Sequence, residues 1–450
     1  MHHHSANLPL ILRAKWVFVQ GGLQEGLEVV LNGDKIATIR PATGPLTHPG
    51  CALLPGLVNA HSHAFQRGLR GHVQWASGQD DFWSWRDRMY SLADGLSPEG
   101  VEAVSALAFL EMALSGFTTV GEFHYVHHQP GGAPYDDPDE LAHRVIRAAR
   151  RVGLRIVLLR VAYARAGAGR PAEPRQRRFI DATPEAVLRA VERLRAAHRD
   201  DPWVNVGLAP HSVRAAPKEW LSEFVGFDGP LHMHVAEQPG ELAQCRAEHG
   251  LEPLAFLDEL GLVAPNFTAV HLTHPGADDG ARLLRAGGRV CVCPTTELDL
   301  GDGFFPIERL PGVPLCIGTD SHARIDPFAE LRALENHSRA RLGRRNVLSP
   351  PDAPDGLAAR LWGVGAGEGS RALGQNGGEI APGAPADLVL INLNGVSYAG
   401  ARPLPTIVFA GQPRDVEALW VGGAPIIEGG EHPEAARIVE DARRALSEIP

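Results

Sequence analysis

Leu53-Leu-Pro-Gly-Leu-Val-Asn-Ala-His61-Ser-His63-Ala-Phe-Gln66-Arg-Gly68 runs from an apolar segment, broken by Pro55 and Gly56, into His-x-His and a polar turn. Side chains of an extended segment alternate between faces, so residues two apart point the same way. If Leu57 to His63 is a strand, His61 and His63 project side by side, and two imidazoles so placed make half of a tetrahedral metal site. Two histidines on a solvated edge would read the same in isolation. The rest of the chain has to supply the other ligands.

Outward from this stretch, the middle of the chain alternates short apolar runs with helical segments. Candidate strands are 53–60, 117–123, 155–161, 203–209, 230–235, 266–271, 288–293 and 313–319. Runs of this kind suit strands buried on both faces. Ser97-Pro-Glu-Gly100 and Thr183-Pro-Glu-Ala186 carry a capping residue before a first-turn proline, which marks a helix start. Eight such units predict a (β/α)8 barrel. A doubly wound open sheet is the runner-up, but no glycine-rich phosphate fingerprint follows the first strand. The flanking segments are different. Residues 8–52 and 380–430 read as short strands and turns, predicted to form one small β-sandwich from both chain termini around a barrel over 53–379, with a helical tail over 431–450. Connections over 64–96 and 162–182 are long enough to suggest functional loops.

Catalytic groups of a parallel barrel lie at the C-terminal ends of its strands. His61 and His63 end the first strand, His211 follows the fourth, His232 and His234 lie on the fifth, His271 ends the sixth and Asp320 ends the eighth. One histidine at a strand end is usually a packed or solvated residue. Imidazoles and a carboxylate ending this many strands of one barrel point instead to a metal site. Cys291 and Cys293 also share a strand face, but they read as core packing.

The set Leu-Pro-Gly-Leu-Val-Asn-Ala-His-Ser-His, His-Val-Ala-Glu237, Val-His271 and Gly-Thr-Asp320-Ser resembles the amidohydrolase superfamily over most of the chain. The resemblance implies that His61, His63, His234 and Asp320 bind one divalent metal, with Zn²⁺ favoured and Fe²⁺ as the alternative; three nitrogens and one oxygen suit zinc. Some members bridge two metals through a lysine at the fourth strand. Here that region reads Val206-Gly-Leu-Ala-Pro-His211, and the only lysines are Lys15, Lys35 and Lys218. One metal is therefore expected. In the deaminase branch a glutamate at the position of Glu237 carries protons to the substrate nitrogen, with His271 and Asp320 orienting and deprotonating the water.

Within that branch the stretches His61-Ser-His-Ala-Phe-Gln66-Arg, Phe82-Trp-Ser-Trp-Arg86, Glu122-Phe-His-Tyr-Val-His-His128 and Pro210-His-Ser-Val-Arg214 resemble the N-formimino-L-glutamate deiminases. The implied substrate is a small dicarboxylate, and the implied contacts are Gln66, Arg86, Tyr125, His211 and Arg214. Guanidinium forks are the natural partners of two carboxylates. His124, His127 and His128 are expected to be structural, and His232 is expected to face away from the ligand cluster. The alternative reading is a related deaminase acting on a purine, pyrimidine or triazine ring. A barrel that has lost catalysis is disfavoured by the complete ligand set.

Composition bounds the partners. The 450-residue chain has 44% hydrophobic residues, a net charge of −10 and a pI near 6.1, which argues against a nucleic-acid surface. It has no apolar run long enough for a membrane span and no recognisable secretory leader. Met1-His-His-His4 reads as a ragged start outside the site. Five cysteines without framework spacing suit a reducing cytoplasm. The resembled family leads one to expect a homodimer.

Overall fold

The computed structural model describes residues 9–74, 82–353 and 356–449. Met1–His4 and the side chains of Phe82, Trp83 and Ser84 lie outside the described residues. Eight parallel strands form one sheet in chain order: β1 (Leu57–Ser62), β2 (Phe117–His124), β3 (Arg155–Ala162), β4 (Val204–Pro210), β5 (Leu231–Val235), β6 (Phe267–His271), β7 (Arg289–Val292) and β8 (Leu315–Ile317). The sheet closes just beyond β8. Ser62 bridges Asp320 in parallel, the Asp320 N–H donates to the His61 carbonyl at 3.0 Å, and the His63 N–H donates to the Asp320 carbonyl at 3.1 Å. The fold is thus a (β/α)8 barrel.

Helices start where the sequence signals them. Ser97 caps Pro98–Leu114 by accepting from the Gly100 N–H at 3.1 Å, and Thr183 caps Pro184–Ala197 by accepting from the Ala186 N–H at 3.2 Å. Each pairs an oxygen acceptor with a proline that has no N–H to leave unsatisfied. Among the described residues, no helix is long and apolar enough to cross a membrane.

The two ends of the chain build a second unit. A three-stranded sheet (Leu10–Leu12, Leu27–Asn32, Lys35–Pro41) packs on a six-stranded one in which Ala14–Val19 and His48–Pro55 from the N-terminal side meet Leu388–Asn392 and Val416–Val421 from the C-terminal side. Val17, Leu31, Ile36, Leu53, Leu388 and Trp420 belong to its apolar core.

One expected strand is corrected. The run 53–60 is not a single barrel strand. Leu53 and Leu54 pair with Leu390 and Val389 in the terminal sheet, and the barrel begins only at Leu57. Pro55 cannot donate to a ladder. Gly56 has no Cβ, and one added there would sit 2.2 Å from Thr118 Cγ2. The Pro-Gly step therefore switches the chain from one sheet to the other. The connection over 64–96 is also less irregular than expected, since it holds a 3₁₀ turn over Ala64–Leu69 and a helix over Phe82–Gly95. The C-terminal tail contains the helix Ala435–Ser447, tied to the barrel by Arg151 through Glu434 and Asp441, each at 2.9 Å.

A buried ion pair joins the two units. Arg155 at the start of β3 donates through Nε to Asp387 Oδ2 at 2.8 Å, both side chains being 8% exposed. Asp387 Oδ1 accepts from the Gly422 N–H at 2.7 Å. Removing one member of a buried pair strands the other charge. Asp387→Ala is expected to lower unfolding stability by about 3 kcal/mol. Urea titration followed by circular dichroism checks this, and a loss below ~0.5 kcal/mol would show that the pair is solvated.

Candidate active site

His61 and His63 at the end of β1, His234 on β5 and Asp320 after β8 bring four donor atoms within 4.8 Å of one another. His61 Nε2 lies 3.2 Å from His63 Nε2 and 3.1 Å from His234 Nε2. Asp320 Oδ1 lies 3.3 Å from His61 Nε2 and 3.2 Å from His63 Nε2. Tetrahedral donors about 2.0 Å from a central ion are about 3.3 Å apart, so the spacing fits one divalent cation.

The rings are also turned correctly. His63 Nδ1 faces the Phe123 carbonyl at 3.0 Å and His234 Nδ1 faces the His211 carbonyl at 3.0 Å. A carbonyl demands a proton on Nδ1, which leaves the Nε2 lone pair aimed at the centre. Burial pushes His61 down to about 3 and, with the repulsion of neighbouring rings, holds His234 well below the usual histidine range. Asp320 is held well below the usual carboxylate range: burial opposes ionisation, but the neighbouring His61, His63 and His271 rings outweigh it. Three imidazoles and an anion facing one point are what a cation requires and what an apolar core would not tolerate. The residues fit a metal.

His271 and Glu237 stand beside this cluster. His271 Nε2 is 3.8 Å from Glu237 Oε1 and 3.9 Å from Asp320 Oδ2, while Nδ1 is 3.4 Å from Glu297 Oε1. Burial disfavours a charged imidazole here, but the carboxylates of Glu237, Glu297 and Asp320 outweigh it and push His271 up to about 10. Backbone strain concentrates in the same place. Ala236, His271, Leu272, Asp320 and His322 all have φ between 46° and 72° without being glycine. Such residues persist only where the surroundings enforce them, and they gather at active sites.

All five expected substrate contacts, Gln66, Arg86, Tyr125, His211 and Arg214, line one pocket with His63, His234, Glu237, His271 and Asp320. Gln66 Nε2 donates to the Tyr125 hydroxyl at 2.6 Å, and its buried Oε1 has no partner among the described residues. Arg214 Nε is likewise buried without a partner among the described residues. Burial, reinforced by the Arg214 charge, keeps His211 well below the usual histidine range.

Several neighbours carry no motif. Met89, Tyr90, Tyr163, Phe179 and Leu300 complete the wall beside Trp85. Phe179 comes from the 162–182 connection, which packs here rather than projecting. Behind the ligands, Glu122 accepts from Ser62 Oγ at 2.5 Å and from the Ala64 N–H at 2.8 Å, fixing the His61-Ser-His63 turn; burial raises its carboxyl to about 7. Glu241 accepts from the Ala236 and Glu237 N–H groups at 3.1 and 3.3 Å. It is the third residue of the helix Pro239–His249 and reaches back past the N-cap Gln238 to those two N–H groups.

The remaining histidines are structural. His127 Nε2 meets the Val161 carbonyl on β3 at 3.1 Å, and His128 Nε2 meets the Ile180 carbonyl at 2.9 Å, holding the 162–182 segment. His124 is buried against His127, 5.3 Å between ring centres. The expected orientation of His232 is corrected. It shares a face with His234, as residues two apart in a regular strand do, and sits one step nearer the strand start, where Nε2 meets the Ala372 carbonyl at 2.8 Å. Cys291 and Cys293 are buried with Cys316 in a small apolar cluster, although Cys293 also lies near enough to His271 and Asp320 to offer a sulfur donor.

A (β/α)8 barrel with three imidazoles and a carboxylate converging at its strand ends defines a metal-dependent hydrolase. The chain belongs to the amidohydrolase family, whose model matches residues 52–426. It is 38% identical over 410 residues to a formimidoylglutamate deiminase of Pseudomonas aeruginosa, covering 89% of this chain and 90% of the relative. An 8-oxoguanine deaminase of the same organism is 29% identical over 458 residues, 98% and 97% of the two chains. Among solved structures, an amidohydrolase from Brucella melitensis superimposes with TM-score 0.91 at 33% identity, covering 98% of this chain and 99% of that one. An adenosine deaminase from Xanthomonas campestris with bound zinc gives TM-score 0.83 at 25% identity, covering 98% of each.

His61→Ala is expected to lower bound metal from about one ion per chain to a small fraction of that. Elemental analysis of the purified variant checks this, with circular dichroism to confirm folding. Unchanged stoichiometry in the folded variant would place the metal elsewhere.

Proposed function

We propose that the chain hydrolyses N-formimino-L-glutamate to N-formyl-L-glutamate and ammonia, a step of histidine degradation. The observation that carries this reading is that Arg86 and Arg214 line the same pocket as His63, His234 and Asp320. Two guanidiniums suit a diacid, and the metal-ligand cluster suits its amidine end. The 38% identity to the Pseudomonas deiminase supports the same substrate.

A divalent metal held by His61, His63, His234 and Asp320, with zinc favoured over Fe²⁺, would supply Lewis acidity and lower the pKa of the attacking water to about 7. Water adds to the formimino carbon, the bond from that carbon to the terminal nitrogen breaks, and the nitrogen leaves as ammonia. Glu237 holds the proton at the carboxylate that faces His271 Nε2 and delivers it to the departing nitrogen. His271, held charged by the carboxylates around it, orients the water, and Asp320 takes its proton. Gln66, whose amide nitrogen is committed to Tyr125, offers its unpartnered Oε1 to a substrate N–H. His211, kept neutral, gives a hydrogen bond without competing for the carboxylates as a counter-ion.

A reducing cytoplasm fits the five free thiols, and a homodimer is the assembly proposed. Ammonia release from N-formimino-L-glutamate, with 8-oxoguanine as the comparator, tests the reaction. Turnover of the ring and not the diacid would overturn it. Arg214→Met is expected to raise KM for the diacid by about 10- to 100-fold. Glu237→Gln is expected to lower kcat by about 10²- to 10⁴-fold with metal content retained. Near-normal kcat in that variant would remove Glu237 from proton transfer.

A further inference from the structure

Gln176 lies far from any motif, in the 3₁₀ turn Pro174–Gln176 of the 162–182 segment, and is 1% exposed. Its side-chain oxygen accepts the Glu173 N–H at 2.8 Å, which fixes the orientation of the amide. The nitrogen must then face the other way. It donates to the Tyr90 hydroxyl at 3.1 Å and to the Tyr163 hydroxyl at 2.9 Å. Both amide protons are thereby used, and both phenol oxygens act as acceptors. Each phenol still owns one proton. With both oxygens accepting from the one amide, each phenolic O–H is turned away from Gln176. Tyr90 and Tyr163 line the substrate pocket together with Arg86 and Arg214. Arg86 lies 5.6 Å from the centre of the Tyr90 ring.

We infer that Gln176 is a positioning residue for substrate selection: it sets the polarity of the Tyr90–Tyr163 pair so that a phenolic O–H donates to one carboxylate of the diacid beside the arginines. This rests on the dicarboxylate reading above. A carboxylate at this wall gives the O–H a charged acceptor, whereas a neutral ring offers it only an uncharged one. The segment thus contributes to specificity through a residue that touches no substrate.

The test uses the full metal-loaded enzyme. Gln176→Glu keeps the acceptor for Glu173 but turns the other arm into an acceptor, so the phenolic protons are drawn away from the pocket. It is expected to raise KM for N-formimino-L-glutamate by about 10- to 100-fold with kcat within about threefold. Gln176→Leu and Tyr163→Phe are expected to raise KM by about three- to tenfold each, and their double variant by no more than the larger single effect. Circular dichroism and metal content should be unchanged. Two competitive ligands locate the effect: N-formimino-γ-aminobutyrate and N-formimino-α-aminobutyrate, each lacking a different carboxylate. The Gln176→Glu penalty should vanish from the inhibition constant of one and persist for the other. A fall in kcat with KM unchanged, or a penalty equal for both ligands, would overturn the positioning role. Failure of the unaltered enzyme to turn over the diacid would instead overturn the function proposed above, and this inference with it.

Discussion

Asp320 holds the first and last barrel strands together twice. Its backbone exchanges hydrogen bonds with His61 and His63, closing the sheet, while its carboxylate lies 3.2–3.3 Å from the Nε2 atoms of those same residues. Closure of the barrel and assembly of the metal-ligand cluster are therefore one event. Asp320 adopts a left-handed backbone conformation, φ 46°, to do both. Such a conformation costs about 1–3 kcal/mol and survives only where the surrounding structure dictates it. The Ser62–Glu122 and Ser62–His322 contacts, at 2.5 and 3.1 Å, brace the turn from behind.

From that closure the division of labour follows. The side of the pocket nearest β1, β5, β6 and β8 carries imidazoles and carboxylates, suited to a cation and to proton transfer. The rest of the lining carries Arg86, Arg214 and a group of aromatic hydroxyls, suited to holding anions. The two sides come from different kinds of structure. The first is built on strand ends, whose positions the barrel fixes. The second draws on the helix Phe82–Gly95, the segment after β3 and the loop after β4, which can vary without disturbing the barrel. Relatives that carry the names of ring deaminases share the scaffold at 25–29% identity.

The cluster was legible because strand periodicity and strand-end position are local properties. His-x-His, the glutamate three residues after His234 and the aspartate after a short apolar run can each be read without knowing the fold. What local pattern could not show is where two structures share one apolar run. Leu53–Ala60 looks continuous, and only the strand pairing, with the close approach of Thr118 to Gly56, reveals the switch between sheets. Nor could it show partners far apart in sequence. Ser62 and His322 lie 260 residues apart, and Gln176 finds Tyr90 across 86. Tyr90, Tyr163 and Phe179 are ordinary aromatics in the sequence and become a binding wall only when the 162–182 segment folds back. Alternation, applied strictly, would have placed His232 on the face of His234.

The central claim is that three imidazoles and one carboxylate surround a lone cation at the mouth of the barrel. X-ray absorption spectroscopy of the metal-loaded protein tests it most directly. The account requires a first coordination shell of nitrogen and oxygen at about 2.0–2.2 Å with no neighbouring metal. A sulfur at about 2.3 Å, as Cys293 would supply, or a second metal within about 4 Å, would contradict it.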